Sequence, residues 1–318
     1  MSWLLTGGAG YIGAHVAQAF TQSGLDVVVL DDLSTGLRDR LAPDTAFVPA
    51  DVLDTGAVRL ALREYAVTGV VHLAAKKAVG ESVARPLHYW HENVGGTRSV
   101  LDAMQAEHID QLVFASSAAV YSNPVEDASS ADPAWPANPY GKTKLVCEWM
   151  IQDVARATGM RWASLRTFNA AGATAPHLAD RSESNLIPLV LSAITAGRRP
   201  KVFGADYPTA DGSCERDYVH VADVARAHLV AARALAAGRA PNTTYDIGRG
   251  AAVSVKHVIQ IVAEVSGTPI DYQVVERRPG DPARIVALDN KANADLPWRA
   301  SHNLRDIIES AWIARGDR

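Results

Sequence analysis

The chain has 318 residues, a hydrophobic fraction of 48% and a formal net charge of −4 at pH 7. These values are typical of a globular protein and argue against nonspecific binding to nucleic acid. The sequence predicts neither a signal peptide nor a membrane span, because it has no basic start and no apolar run of roughly 18 residues. Cys147 and Cys214 lack metal-like spacing, which predicts free thiols and a cytoplasmic location.

Strands and helices alternate through the first half of the sequence. Predicted strands cover 3–7, 26–32, 46–51, 69–75, 111–117 and 161–169, and predicted helices cover 12–24, 54–65, 88–107 and 140–159. Strict alternation predicts an α/β fold, in which a doubly wound, Rossmann-type parallel sheet carries helices on both faces. The strands are nearly continuous apolar runs, as burial on both faces requires.

After residue 169 the alternation ends, which predicts a smaller mixed α/β region at the open edge of the sheet. Its predicted helices cover 186–197 and 254–267, and its predicted strands cover 201–204 and 270–281. We expect a Rossmann unit of residues 1–169 plus about 217–240, and a second, smaller unit of residues 170–216 plus about 241–318. The final residues ARGDR are expected to fray.

A glycine-rich motif, TGGAGYIG at 6–13, follows the first strand and opens the first helix. Gly7, Gly10 and Gly13 permit a tight turn, close approach of a pyrophosphate and close packing of the helix on the strand. The helix N-terminus favours the negative charge of the phosphates. Because the strand–turn–helix context is present, the motif predicts a dinucleotide site.

Carboxylates at two strand ends extend this prediction. Asp31 and Asp32 end the second strand, where a carboxylate accepts hydrogen bonds from the ribose of NAD and repels the 2′-phosphate of NADP. Either acid alone could instead cap a loop. Asp51 and Val52 follow the third strand, where they can contact the amino group of the adenine. The pattern therefore favours NAD over NADP.

A tyrosine and a lysine stand one helical turn apart in NPYGKTK (138–144). Of nine tyrosines, only Tyr140 has a lysine, Lys144, four residues later. Such pairs also occur on many helix surfaces. A phenol has a pKa of about 10, and a nearby ammonium together with the positive nicotinamide of NAD favours the phenolate. Beside a dinucleotide motif, the pair predicts a general base that takes a hydroxyl proton.

A set of motifs spans nearly the whole chain and resembles the extended short-chain dehydrogenase/reductase superfamily and, within it, the UDP-glucose 4-epimerases. The motifs are TGGAGYIG, HLAAKKAVGES (72–82), ENVGGT (92–97), SSAAVY (116–121), YGKTK (140–144), LRTFNAAGA (165–173), NLIPLV (185–190), VFGADYPTADGSCERDYVHVADVARAH (202–228) and RRPGDPA (277–283). Their order along the chain matches that of the family.

The resemblance implies that the Rossmann unit, residues 1–169 plus about 217–240, binds NAD, and that residues 170–216 plus about 241–318 form a nucleotide-sugar-binding unit. It also implies three sets of site residues and no metal. The catalytic set is Ser117, Tyr140 and Lys144. The cofactor-binding set is Gly7, Gly10, Tyr11, Ile12, Gly13, Asp31, Asp32, Asp51, Val52, Leu73, Ala74, Ala75, Lys77, Asn93, Tyr140, Lys144 and Phe168. The substrate-binding set is Ser117, Tyr140, Asn169, Asn185, Leu186, Phe203, Arg216, Arg278 and Asp281.

The resemblance also implies a reaction, the interconversion of UDP-glucose and UDP-galactose with tightly bound NAD. Tyr140 would take the proton of the 4-hydroxyl while hydride leaves C4, and the 4-keto sugar would turn over before the hydride returns. Lys144 would lower the pKa of Tyr140 and hold the nicotinamide ribose, and Ser117 would orient the 4-oxygen. A homodimer would form through the helices over 88–107 and 140–159.

Three alternatives share this fold. Epimerases of UDP-N-acetylhexosamines or UDP-pentoses would use the same core chemistry. A nucleotide-sugar 4,6-dehydratase needs an acid and a base beside Ser117, where this chain has Ala118 and Ala119. A non-catalytic NAD-sensing protein would be expected to lose part of the catalytic set, which is complete here.

Overall fold

The structure is a computed structural model that describes residues 1–121, 133–182, 185–239, 242–278, 281–288 and 291–316. The strands are β1 Ser2–Thr6, β2 Asp26–Asp31, β3 Ala46–Pro49, β4 Val67–His72, β5 Gln111–Ser117, β6 Arg161–Thr167, β7 Asn169–Ala171, β8 Lys201–Phe203, β9 Glu215–His220, β10 Thr243–Ile247, β11 Ala252–Ser254, β12 Gln273–Val275 and β13 Arg284–Ile285. The α-helices are α1 Tyr11–Gln22, α2 Thr55–Glu64, α3 Val79–Ala84, α4 Pro86–Tyr89, α5 Gly96–Ala106, α6 Pro139–Thr158, α7 Leu186–Thr195, α8 Val221–Ala236, α9 Val255–Ser266, α10 Lys291–Asp295 and α11 Leu304–Arg315.

Seven strands form one parallel sheet in the order β10-β6-β5-β4-β1-β2-β3. The strand order reverses beside β1, because the chain first runs outward to β3 and then returns to β4 on the other side. Helices α1 and α8 cover one face and helices α2, α5 and α6 cover the other, so the strand centres are buried on both faces. This confirms the predicted doubly wound α/β fold and places a crevice at the carboxyl ends of β1 and β4.

A smaller sheet joins strands that are distant in sequence. β9 pairs with β7, β11 and β13, and only β11 runs antiparallel to it. A separate pair, β8 with β12, lies beyond this sheet. Helices α7, α9 and α11 supply the apolar side chains that pack with the small sheet in one cluster. This is the smaller mixed region that the sequence predicts.

The helix predicted over 88–107 is interrupted. Helix α4 ends at Tyr89, a π-helical turn occupies Trp90–Gly95, and α5 begins at Gly96. Two consecutive glycines at this point weaken the α-helix, because glycine has a low helix propensity. The prediction of one continuous helix is therefore wrong, and the wider turn falls on Asn93.

The later part of the chain differs more from the prediction. The sequence does not predict β9, α8, β10 or α11, and α11 ends only at Arg315. β10 pairs with β6 at the edge of the large sheet, although the sequence places residues after about 240 in the nucleotide-sugar-binding unit. β9, at 215–220, belongs to the small sheet, whereas most of this segment was expected in the Rossmann unit. In the described part of the chain, no helix is long and apolar enough to cross a membrane.

Candidate active site

The glycine-rich turn lies between the end of β1 and the start of α1. Gly7 has a φ of 70°, and a Cβ there would lie 2.6 Å from the backbone nitrogen of Ala74. A Cβ at Gly13 would lie 2.2 Å from the carbonyl oxygen of Gly7. Helix α1 begins after Gly10 with no side-chain cap, so its first N–H groups can bind an anion. The turn therefore has the narrow, uncapped form that a pyrophosphate requires.

The two carboxylates at the end of β2 have different surroundings. Asp31 is buried and accepts hydrogen bonds from the N–H groups of Ala9, at 2.9 Å, and Leu33, at 2.8 Å. Burial raises its pKa, and these two hydrogen bonds act in the opposite direction. Asp32 is exposed and accepts from the backbone N–H and the hydroxyl of Ser34. Asp31 therefore faces the glycine-rich turn and keeps spare lone pairs for ribose hydroxyls.

The remaining predicted cofactor residues lie on α1 or follow the carboxyl ends of strands in the large sheet, and one of them, Tyr11, differs from the expectation. Tyr11 follows the turn, but its buried side chain points away from it, and Oη donates to the carbonyl oxygen of Gly172 at 2.6 Å. Only the backbone of Tyr11 is thus placed at the turn. The others are half-buried Ile12, Val52, Leu73, Ala74 and Ala75, exposed Asp51 and Lys77, and buried Phe168.

Asn93, in the π-helical turn, links two segments of the site. Its Oδ1 accepts from the N–H of Lys76 at 2.8 Å, and its Nδ2 donates to the carbonyl oxygen of Lys76 at 3.0 Å. Nδ2 also donates to Oγ1 of Thr143 at 3.0 Å, and that hydroxyl donates to the carbonyl oxygen of Tyr140 at 2.7 Å. The side chain of Asn93 therefore joins the segment after β4 to the first turn of α6.

The three predicted catalytic residues come together at the carboxyl edge of the large sheet. Ser117 ends β5, while Tyr140 and Lys144 lie in the first turns of α6. α6 begins where Oδ1 of Asn138 accepts from the N–H of Gly141 at 2.9 Å, a side-chain cap that fixes the start of the helix. The hydroxyl of Ser117 accepts from the N–H of Ala119 at 3.1 Å, and the same hydroxyl lowers the pKa of Tyr140.

Lys144 is buried beneath the tyrosine. Its Nζ donates to the carbonyl oxygen of Ala115 at 2.8 Å and lies 4.8 Å from the ring centroid of Phe114. Burial lowers the pKa of Lys144 to about 8, whereas negative charge on Cys147 or Glu148 would raise it.

The pKa of Tyr140 departs from the prediction. Burial raises it, and the nearby hydroxyl of Ser117 acts in the opposite direction. The sequence predicts that the ammonium of Lys144 lowers this pKa. In the structure Nζ donates to the carbonyl oxygen of Ala115, and burial has the largest effect on the phenol. Ser117 is therefore the catalytic-set neighbour that stabilises the phenolate here.

A row of polar residues next to the catalytic set was not predicted from the sequence. Asp246 on β10, Arg166 on β6 and Ser116 on β5 are direct neighbours across three adjacent strands. Glu148, on α6, accepts from the hydroxyl of Ser116 at 2.5 Å and from Nε and Nη2 of Arg166 at 3.0 and 2.6 Å. Glu148 lies four residues after Lys144, and this spacing is the signal that could have identified it.

Residues predicted to bind UDP lie on and around the small sheet. Arg216, on β9, forms an ion pair with Asp281, and the guanidinium of Arg278 lies 4.0 Å from the ring centroid of Phe203. Each of these two arginines therefore contacts another residue of the predicted substrate-binding set. The others are Asn185, whose Nδ2 donates to Oδ2 of Asp180 at 2.6 Å, half-buried Leu186 at the start of α7 and exposed Asn169 at the start of β7.

Residues 3–248 match the family described as NAD dependent epimerase/dehydratase. The match covers both the glycine-rich turn and the catalytic set. The chain belongs to this family.

Several members of the epimerase/dehydratase family align with this protein over nearly its full length. The protein is 43% identical to the UDP-glucose 4-epimerase of Corynebacterium glutamicum, over 100% of this chain and 98% of the relative. A crystal structure of the Brucella ovis UDP-glucose 4-epimerase with NAD has a TM-score of 0.95 and 36% identity, covering 99% and 98% of the two chains. The Stenotrophomonas maltophila UDP-glucose 4-epimerase, solved with NAD and formylated UDP-arabinopyranose, has a TM-score of 0.93 and 38% identity over 99% and 98%.

The site of this epimerase/dehydratase family member fits NAD. The glycines leave room that a Cβ would fill, α1 has no side-chain cap, and the buried Asp31 carboxylate lies at the ribose position of such sites. Within the described ranges, no group of three or more His, Cys, Asp or Glu side chains is placed to hold a metal ion.

Proposed function

We propose that the protein is a UDP-glucose 4-epimerase that interconverts UDP-glucose and UDP-galactose through a 4-keto intermediate with tightly bound NAD. The observation that carries the proposal is that Ser117, at the end of β5, and Tyr140 and Lys144, in the first turns of α6, lie at the carboxyl edge of the sheet that also carries the glycine-rich turn. Full-length relatives of that name support it. NAD, when bound, accepts the hydride of the sugar C4 atom and returns it.

The proton of the sugar moves to and from Tyr140. Oη of Tyr140 takes the proton of the 4-hydroxyl as hydride leaves C4, and Oγ of Ser117 holds the same sugar oxygen. Lys144 holds the nicotinamide ribose and supplies positive charge beneath the ring. Because burial raises the pKa of Tyr140, the positive charges of Lys144 and of the nicotinamide must together favour the phenolate.

The two ends of the substrate need different restraint. Arg216 and Arg278 bind the diphosphate, since a guanidinium matches two phosphate oxygens at once. Phe203, Asp281, Asn185 and Leu186 hold the rest of the UDP. Phe168 lies beside the nicotinamide and Asn169 beside the nucleotide sugar, and the hexose is held loosely so that the keto sugar can turn and present its other face.

The test is conversion of UDP-galactose by the purified protein, followed by separation of the UDP-sugars by chromatography. In D₂O we expect no deuterium at C4 of the product, because the same hydrogen leaves and returns. Solvent deuterium at C4 would contradict the hydride route, and a lack of conversion would contradict the activity.

UDP-pentoses are a second candidate substrate, because the Stenotrophomonas maltophila structure contains a modified UDP-arabinopyranose. UDP-N-acetylhexosamines would require the same core chemistry. A panel of UDP-glucose, UDP-galactose, UDP-N-acetylgalactosamine and a UDP-pentose, compared by kcat/KM, ranks these substrates. We expect the highest value for the unmodified hexoses.

We further propose a cytoplasmic homodimer. Apolar side chains exposed on α3, α4 and α6 support a dimer surface, namely Val79, Val83, Leu87 and Trp149. Leu145, another apolar residue of α6, is instead buried in a cluster with Phe168. Both cysteines are buried free thiols, which supports a reducing compartment. Light scattering should give twice the mass of one chain, and Trp149→Glu should halve that mass.

A further inference from the structure

The polar row of Ser116, Arg166 and Asp246 is covered by Glu148, on α6. It contains two carboxylates, Glu148 and Asp246, and one guanidinium, Arg166. These three side chains are each less than a tenth exposed. Nη1 of Arg166 donates to Oη of Tyr121 at 2.6 Å, and that hydroxyl donates to Oδ1 of Asp246 at 2.8 Å.

Lys144 lies one helical turn from this row. Tyr140, Lys144 and Glu148 follow each other at intervals of four residues on α6, so they lie along one face of the helix. Lys144 is itself only 4% exposed, and its hydrogen-bond partner, the carbonyl oxygen of Ala115, carries no net charge. The ammonium thus needs a counter-charge, because burial disfavours its charged form.

The ionisable groups that face Nζ come from three elements. Burial and the charge of Lys144 lower the pKa of His72, on β4, to about 3, so this histidine is neutral. Burial raises the pKa of Cys147, on α6, which keeps the thiol protonated. Arg166, on β6, holds Glu148 on α6, and Tyr140 begins the same helix face. Among these groups, Glu148 is the one carboxyl side chain.

We propose that Glu148 is a positioning residue that keeps Lys144 in its ammonium form and fixes the strand end that carries Ser117. The first effect is electrostatic, because the carboxylate lies one turn away in a dry environment. The second is mechanical, because Glu148 binds Ser116, the residue before Ser117, together with its cross-strand neighbour Arg166. This inference rests on the proposed role of Lys144 but not on the identity of the sugar.

The test measures the protonation of Lys144 directly in the NAD-bound protein. Lysines carry ¹³C at Cε, the Lys144 signal is assigned with Lys144→Met, and its chemical shift is followed with pH. In Glu148→Gln, which keeps the size of the side chain, we expect the Lys144 midpoint to fall by about one to two pH units. An unchanged midpoint overturns the proposal. This readout needs no turnover, so it stands even if the epimerase proposal fails.

Kinetics give a second readout. In Glu148→Gln we expect the basic limb of the kcat profile to move to lower pH by the same interval, because a neutral Lys144 no longer supports the phenolate. A merely structural residue would lower kcat at every pH without moving the limb, and that outcome contradicts the proposal. Glu107→Gln is the matched control, since Glu107 pairs with Arg59 and Arg63 at the far end of α5.

Arg166→Gln keeps the proposal falsifiable if Glu148→Gln fails to fold. Removal of the guanidinium leaves the negative charge of Glu148 less compensated. The Lys144 midpoint should therefore rise, which is opposite in sign to the effect of Glu148→Gln. A fall, or no change, in the Arg166 variant overturns the electrostatic role.

Discussion

The edge of the large sheet and the small sheet hold their charged groups in different ways. Beside the catalytic set, Glu148 and Arg166 are buried and joined by two hydrogen bonds. Near the small sheet the ion pairs are less buried: the side chains of Arg216 and Asp281 are 13% and 23% exposed, and those of Arg277 and Asp206 are 41% and 76% exposed. Arg278 stacks on a ring instead. The ion pair next to the predicted catalytic set is therefore more deeply buried than the ion pairs near the predicted diphosphate arginines.

The free-energy cost of breaking an ion pair also differs between the two regions. Loss of one partner from a buried ion pair costs about 3–5 kcal/mol, because the other charge is left unpaired. An exposed pair contributes about 0–1 kcal/mol. Substitutions near the catalytic set should therefore affect chemistry and folding strongly, and those near the small sheet should affect mainly substrate affinity.

The largest expected effect is on proton transfer. Tyr140→Phe should lower kcat by about 10²–10⁴-fold, because a general base is lost. The melting temperature and NAD content should remain close to those of the parent protein. Tyr65→Phe, at the exposed end of α2, is the control and should retain full activity. A normal kcat in Tyr140→Phe would contradict the role of Tyr140 as the general base.

A smaller effect is expected for the diphosphate. Arg216→Met should raise KM by about tenfold to a hundredfold with little change in kcat, because one charge-assisted hydrogen bond contributes about 1.5–3 kcal/mol. Arg277→Met is the matched control, since Arg277 is held by Asp206 and the ring of Tyr207. Equal effects of the two substitutions would contradict the assigned role of Arg216.

Next in size is the difference between the two carboxylates of β2. Asp31→Asn should weaken NAD binding by about tenfold, or about 1.4 kcal/mol, because the ribose loses a charged acceptor. The difference in affinity between NAD and NADP should become smaller for the same reason. Asp32→Asn should change affinity little, since Asp32 is exposed and accepts from Ser34. Isothermal titration with both cofactors measures this, and the reverse order would reassign the ribose contact.

The smallest effect concerns acid stability. His72 is 1% exposed, and its pKa in the folded protein is about 3, below the ordinary value of 6.5. The unfolded chain therefore binds more protons between these values, so stability falls as the pH drops below about 6.5. Between pH 6.5 and 5.5, the free energy of unfolding should fall by about 1 kcal/mol less in His72→Gln than in the parent protein.

The exposed His257→Gln is the control for this substitution. Urea unfolding at the two pH values gives the difference. If His72→Gln and His257→Gln show the same pH dependence as the parent protein, His72 does not contribute to the acid sensitivity of the fold.

The sequence predicts the large sheet better than the small sheet, for a physical reason. β5 was predicted at its observed bounds, because a buried parallel strand is a local apolar run. β13 contains only Arg284 and Ile285, and it pairs with β9 nearly 70 residues earlier in the sequence. No local pattern encodes such a pairing.

Within the candidate site, too, the sequence predicts local features better than contacts between distant segments. The glycine-rich turn and the Tyr140–Lys144 spacing lie within short segments, so the sequence reveals them. The direction of the Tyr11 side chain and the partners of Glu148 depend on residues from other elements. They become visible only when Gly172, Ser116 and Arg166 are brought together by the fold.

The place of β10 at the edge of the large sheet has a consequence for synthesis of the protein. β6 leaves the ribosome well before β10, because residues 168–242 separate the two strands. During that interval the outer side of β6 has unpaired N–H and C=O groups, which can capture another extended chain. A chain that is released before residue 243 would keep this edge open, so we expect such fragments to aggregate and to require a chaperone.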